Sequence, residues 1–173
     1  TYRNGQSIPS PTPLAWSTAE YGAQRVLYYA NGDYEENFGR VYNWFAVDDS
    51  RGICPSGWHV PSETEFNTLI DELGGEPVAG IAAKNSSEDS PPWNGSNSSG
   101  FSAAFGGWHD YQGGNGYGQG IRTSFWTSTF VQQNAYNPYS LAHHKKLTWE
   151  DPFTSHNDHV SFGRHVRCLK DTE

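Results

Sequence analysis

The chain has 173 residues, a length that suits one domain around one core. Aromatic residues make up 15% of it, which excludes a disordered chain, and 19 Gly with 10 Pro exclude a helical bundle. The net charge of -8 excludes a nucleic-acid binder, because phosphate contacts need a basic surface and no basic run exceeds Lys145-Lys146.

In chain order, residues 1–15 (TYRNGQSIPSPTPLA) read as an extended arm, since each Pro holds its predecessor in extended geometry. Residues 16–173 then form one domain. The arm's apolar anchors are Tyr2, Ile8, Leu14 and Trp16, which would dock either on its own domain or on a neighbouring copy. QRVLYY at Gln24–Tyr29 predicts a short strand closed by a turn at Asn31–Asp33. Phe38, Val41, Tyr42 and Phe45 fall at helical spacing and predict a short buried helix over Phe38–Val47.

The clearest local signal is SETEFNTLIDELGG at Ser62–Gly75. Ser62 and Glu65 form a capping box, Phe66, Leu69, Ile70 and Leu73 make one apolar stripe, and Gly74 supplies the stop. Residues 85–100 are a polar loop around Trp93, in which Asn85, Asn94 and Asn97 each begin an Asn-x-Ser sequon. Beyond it, Gly100–Trp108, Phe125–Phe130, Tyr136–Leu141 and Val160–Leu169 predict strands of a small twisted antiparallel sheet with long loops. The expected class is α+β, two short helices on that sheet.

Candidates for chemistry do not assemble into a catalytic pattern. His156 and His159 form H-N-D-H without the Glu of a helical zinc site, and no Ser sits in a G-x-S-x-G elbow. The glycine-rich run Gly113–Gly120 lacks the Lys-Ser/Thr of a phosphate loop. Asn31, Asp33, Glu35 and Asn37 alternate like calcium ligands, but Glu36 stands where the turn needs Gly and Tyr42 where a bidentate Glu is needed. We therefore expect no enzyme, no metal and no cofactor.

The two cysteines, Cys54 and Cys168, form no C-x-x-C pair and read as a disulfide, with a buried pair of free thiols as the alternative. No apolar run approaches a membrane span. With no methionine and no signal peptide at its start, the chain reads as a processed product or an excised domain.

TYRNGQSIP, FGRVYNWFAV, GICPSGWHVPSETEFNTLIDELGG, SGFSAAFGGWHD, SFWTST and HVRCLKD occur in this order. Together they resemble the Fibrobacter succinogenes major paralogous domain, found in secreted and surface proteins. The chain departs from that pattern at Trp108-His109-Asp110, at Phe125 and at His165. The resemblance implies a C-type-lectin-like fold, related more distantly to formylglycine-generating enzymes, with the chain ends together and Cys168 on the closing strand. The catalytic cysteine or copper site of those enzymes does not map onto this chain. The calcium signature of sugar-binding lectins is absent too, Trp93-Asn94-Gly95 being a partial echo.

In such folds the face between the last strands binds ligand, which here corresponds to residues 132–158. Its contact candidates are Tyr136, Asn137, Tyr139, His143, His144, Trp149, Asp151, Phe153, His156, Asn157 and Asp158. Two functions follow as expectations. One is a secreted or cell-surface recognition or adhesion module that binds a protein or glycan through these C-terminal loops. The other is a self-assembling subunit of an extracellular filament that uses the arm to hold a neighbouring copy.

Overall fold

The computed structural model describes residues 1–27, 38–110, 116–131, 140–150 and 152–172. Helices α1 (Pro13–Ser17), α2 (Trp44–Val47), α3 (Glu63–Glu72) and α4 (Glu76–Ala83) alternate with nine strands. The strands are β1 (Gln24–Val26), β2 (Arg40–Tyr42), β3 (Trp58–His59), β4 (Trp108–His109), β5 (Gly116–Tyr117), β6 (Arg122–Val131), β7 (Leu141–Thr148), β8 (Thr154–His159) and β9 (Leu169–Lys170). Among the described residues the class is α+β, with one three-stranded antiparallel sheet, β6-β7-β8, and three two-stranded ones, β1-β2, β3-β9 and β4-β5. Isolated bridges Tyr42↔Arg164, His109↔Gly163 and Phe125↔His165 tie the β1-β2 and β4-β5 sheets to the large one through a single segment, 163–165.

Helix α3 forms as its sequence predicts. The Ser62 side chain accepts from the Glu65 amide and the Glu65 carboxylate accepts from the Ser62 amide. At the other end Gly74 (φ +97) and Gly75 (φ +85) turn the chain left-handed, where any Cβ would be strained. Gly75 also starts α4, a helix the sequence reading omits. Its Pro77 sits in the first turn, where a missing amide costs no hydrogen bond.

The stripe over Phe38–Val47 does not become one helix. Arg40–Tyr42 pair with Gln24–Val26, and the helix begins only after Asn43. The fully buried Asn43 side chain accepts from the amides of Ala23 (2.8 Å) and Ala46 (3.2 Å), so it caps α2 and braces the preceding strand together. Of the predicted strand Gly100–Trp108, only its end lies in β4, because Asn97 and Ser102 hold positive φ and tie the loop to itself. Phe125–Phe130 falls inside β6. The strand predicted over Tyr136–Leu141 lies outside the described residues up to its last two positions, and β7 starts at Leu141. Val160–Leu169 contributes bridges and the first residue of β9 rather than a continuous strand.

Helices α3 and α4 cover one face of the large sheet through Phe66, Ile70, Ala79, Ala83, Phe125, Leu147 and Phe153. On the opposite face Trp44 of α2 packs with Trp126, Ala142 and Val160. Among the described residues that second cover reaches one end of the sheet only, and the other end carries polar side chains.

Residues 1–15 pack on the rest of their own chain. Tyr2 and Ile8 are buried with Ala46, the Pro9 carbonyl accepts from the Gln24 amide (2.8 Å), and Arg3 donates to the Cys54 and Trp58 carbonyls. Within the stretch read as extended, Thr12 caps α1, whose Trp16 is fully buried and donates to the Ser161 carbonyl at 2.7 Å. Of the four anchors named for assembly, only Leu14 is exposed. The others are occupied within the chain.

Cys54 and Cys168 are bonded, with Cα atoms 5.8 Å apart. The bond sits beside β3-β9, where Asp171 also accepts from His59 Nδ1 at 2.6 Å, so the start and the end of the domain close on each other.

Candidate functional site

Side chains of a strand alternate between faces, and this splits His143-His144-Lys145-Lys146 of β7 in two. The odd members face α3: His143 Nδ1 lies 3.0 Å from Glu63, and buried Lys145 reaches Glu63, Asn67 (2.5 Å) and Ser155. His144 and Lys146 face the other way. Their register partners there are Trp126 and Ser124 on β6, and His156 and Thr154 on β8.

This face borders a cavity of about 270 Å³, walled by Trp108 and Phe162 and lined by Arg122, Ser124, His144, Lys146, His156, Asn157, Asp158 and Arg164. Among the described residues Asp158 is its only carboxylate. It accepts from buried Arg164 and from His144 Nε2 (3.0 Å) at the same oxygen. Arg164 also donates to Ser124 Oγ at 2.6 Å, and its guanidinium lies 5.4 Å from the Trp126 and Phe162 ring centroids.

Burial sets the charge states. It lowers His144 to about 4, helped by the Arg164 charge, so the ring is neutral at pH 7 and donates Nε2–H to Asp158. Burial also lowers Arg164 to about 10, which leaves it cationic. For Asp158 burial acts upward, but the His144 hydrogen bond and the Arg164 charge outweigh it and lower the carboxyl below its usual range. His156, stacked on His144 with centroids 5.6 Å apart, is lowered first by burial and then by Lys146.

At the outer wall the Arg122 guanidinium lies 3.4 Å above the Trp108 ring, which in turn rests on Tyr117. Arg122 also borders a second, more open cleft of about 660 Å³, shared with Ile121, Thr148, Trp149 and Glu150. Here buried Lys84 donates to the Thr148 and Trp149 carbonyls (3.1 and 3.2 Å), and Asn94 donates to the Trp149 carbonyl at 2.5 Å. The Trp149 backbone is thus pinned while its side chain is half exposed.

Ser124, His144 and Asp158 share one cavity; Ser124 Oγ takes an Arg164 N–H, and among the described residues His144 Nδ1 is buried without a hydrogen-bond partner. Among the described residues no three His, Cys, Asp or Glu are placed to hold a metal. His156 and His159 lie three apart on β8, so alternation puts them on opposite faces.

Of the contact candidates, His144, His156, Asn157 and Asp158 meet at the cavity, and Trp149 lies on the adjoining cleft. His143 faces α3 instead, and Phe153 is fully buried in the core. Tyr136, Asn137, Tyr139 and Asp151 lie outside the described residues, as does the calcium-like run Asn31–Asn37. Among the described residues the cavity is lined mainly from sheet strands, and 132–139 and 151 of the expected ligand-binding stretch lie outside them. Sequence reasoning missed Trp108, Arg122, Ser124, Lys146, Phe162 and Arg164. Of the sequon residues, Asn85 is buried and donates to the Pro91 carbonyl, Asn97 is tied to Asp89 and Ser102, and Asn94 is exposed with its amide on the Trp149 carbonyl.

An apolar groove of about 290 Å³ lies apart from this site, between α3 and β9, lined by Pro61, Phe66, Leu69, Phe101 and Leu169. The family model described as the Fibrobacter succinogenes major domain matches residues 1–170. No curated protein and no solved structure matches the chain.

Proposed function

Because the chain belongs to the Fibrobacter succinogenes major domain family, we propose that it is a non-enzymatic recognition or adhesion module. It acts outside the cell and binds a protein or glycan through the polar end of the β6-β7-β8 face. The observation that carries this reading is the cavity itself. Its lining comes from β4, β6, β7 and β8 and from Phe162 and Arg164, several of these side chains orient one another, and among the described residues no element covers them as α2 covers the other end. Sites on strands are held more precisely than sites on loops, so little entropy is lost when a ligand enters.

An extracellular place is supported by the Cys54–Cys168 bond, which persists in oxidising compartments. No helix among the described residues is long and apolar enough to cross a membrane. The C-type-lectin-like relation belongs to this reading, and joined chain ends with a ligand face on the last long strands are what support it. A filament subunit would have to associate through surfaces other than Tyr2, Ile8 and Trp16, which are buried within the chain.

The test is a binding screen of the purified chain on arrays of glycans and extracellular proteins. Saturable binding to one ligand class is the expected result. Absence of binding across both arrays, or turnover of a bound compound, would contradict it.

A further inference from the structure

Charge at the cavity runs against the charge of the chain. Among the described residues Arg122, Lys146 and Arg164 face one carboxylate, Asp158, which is already shared between Arg164 and His144. Among the described residues Arg122 and Lys146 make no ion pair, although the chain as a whole carries -8. Walls of Trp108 and Phe162 lower the local dielectric and focus the field of these cations.

Arg122 joins this charge to an apolar platform. Its plane is held by the Trp108 ring, which presets the guanidinium fork for a planar or tetrahedral oxyanion. It borders both clefts, and the second holds the half-exposed Trp149 on a backbone pinned by Lys84 and Asn94. Pre-ordered indole faces accept the C–H faces of sugar rings, and His156 and Ser124 offer partners for hydroxyl groups. A bound peptide would be anchored by an apolar pocket or a bare sheet edge. This cavity is mostly polar, and it lies across the face of the sheet, with β6, β7 and β8 each contributing to its lining, rather than along one edge.

We propose that the site takes an anionic saccharide, whose carboxylate or sulfate is held by Arg122 and Lys146 while an adjoining sugar ring lies on Trp149. This rests on the recognition reading above and names its ligand. The Glu150 carboxylate borders the outer cleft and is exposed to solvent, which screens it from the anion.

The experiment is calorimetric titration of the full chain with four probes: oligogalacturonate, a sulfated galactan oligomer, a neutral cello-oligosaccharide of equal length, and a glutamate-rich peptide. One or both acidic saccharides should bind at least about tenfold more tightly than the neutral one, and added salt should weaken them. Which acidic probe binds separates carboxylate from sulfate. Arg122→Ala and Trp149→Ala should each weaken binding by about tenfold or more, with Lys146→Ala as a further variant should either fail to fold.

Equal binding of the neutral oligosaccharide would overturn the anionic assignment while leaving recognition at this face standing. So would binding of the peptide alone. Acidic saccharide binding untouched by Arg122→Ala and Lys146→Ala would overturn the site, and no binding of either acidic saccharide would overturn the proposal.

Discussion

Replacing Cys54 and Cys168 together with alanine lowers the stability of the domain by about 4–5 kcal/mol, the chain-entropy value for closing so long a loop. The two residues are 114 apart in sequence, so the bond removes much of the freedom of the unfolded chain. Its folded surroundings have little else with which to hold the ends. Strands β3 and β9 are two residues each, and the His59–Asp171 pair is solvent-exposed. Urea denaturation of the native and doubly substituted chains reads the difference. A loss under about 1 kcal/mol would mean that β3-β9 and the Arg3 contacts close the domain unaided.

Acid should unfold the chain well above the range in which carboxylates protonate. His144 and His165 are both held near 4. For His165 burial is the main cause, with Nδ1 against the Arg40 carbonyl. In the unfolded chain both rings titrate near 6.5. Between those values the unfolded state binds more protons, so stability rises with pH there and is lost as pH falls from about 6.5 toward 4. Each ring accounts for about 3 kcal/mol across the window.

His59 works in the opposite sense. Asp171 raises it, so its smaller contribution is present below its unfolded value and is lost as pH rises. The urea midpoint should therefore drop steeply from pH 7 to pH 4.5, and His165→Phe should remove roughly half of that slope. A midpoint indifferent to pH over this range would show that the rings are not buried neutral.

What could be read from the sequence was local. Helix α3 carries its own cap, stripe and stop within fourteen consecutive residues, Ser62–Gly75, and two lone cysteines left one pairing to test against free thiols. Helix α4 was hidden because Gly75 and Pro77 read as a break, although both suit a helix start. Strands β7 (LAHHKKLT) and β8 (TSHNDH) were hidden for a different reason. They lack the apolar alternation of a half-buried strand, since one face is a polar network built on Lys145 and the other lines a polar cavity.

The site was half legible for the same cause. His144, His156, Asn157 and Asp158 lie close enough in sequence to be noticed together. Arg122, Trp108 and Arg164 reach the cavity only through the pairing of β6 with β7 and the bridges at 163–165, which no window of sequence contains. One trace was visible: Arg122 opens the run RTSFWTSTFV, a cation at the head of an aromatic strand.

The measurement that bears most directly on the recognition face is a comparison of two charge-changing variants, Arg122→Glu and Leu169→Asp, against the native chain on the glycan and protein arrays. Arg122 stands at the junction of the two polar clefts, and Leu169 lines the apolar groove on the other cover of the molecule. If the polar end of β6-β7-β8 is the binding surface, Arg122→Glu abolishes the native chain's binding while Leu169→Asp leaves it intact. Binding lost in Leu169→Asp and kept in Arg122→Glu would place recognition at the groove and contradict the account.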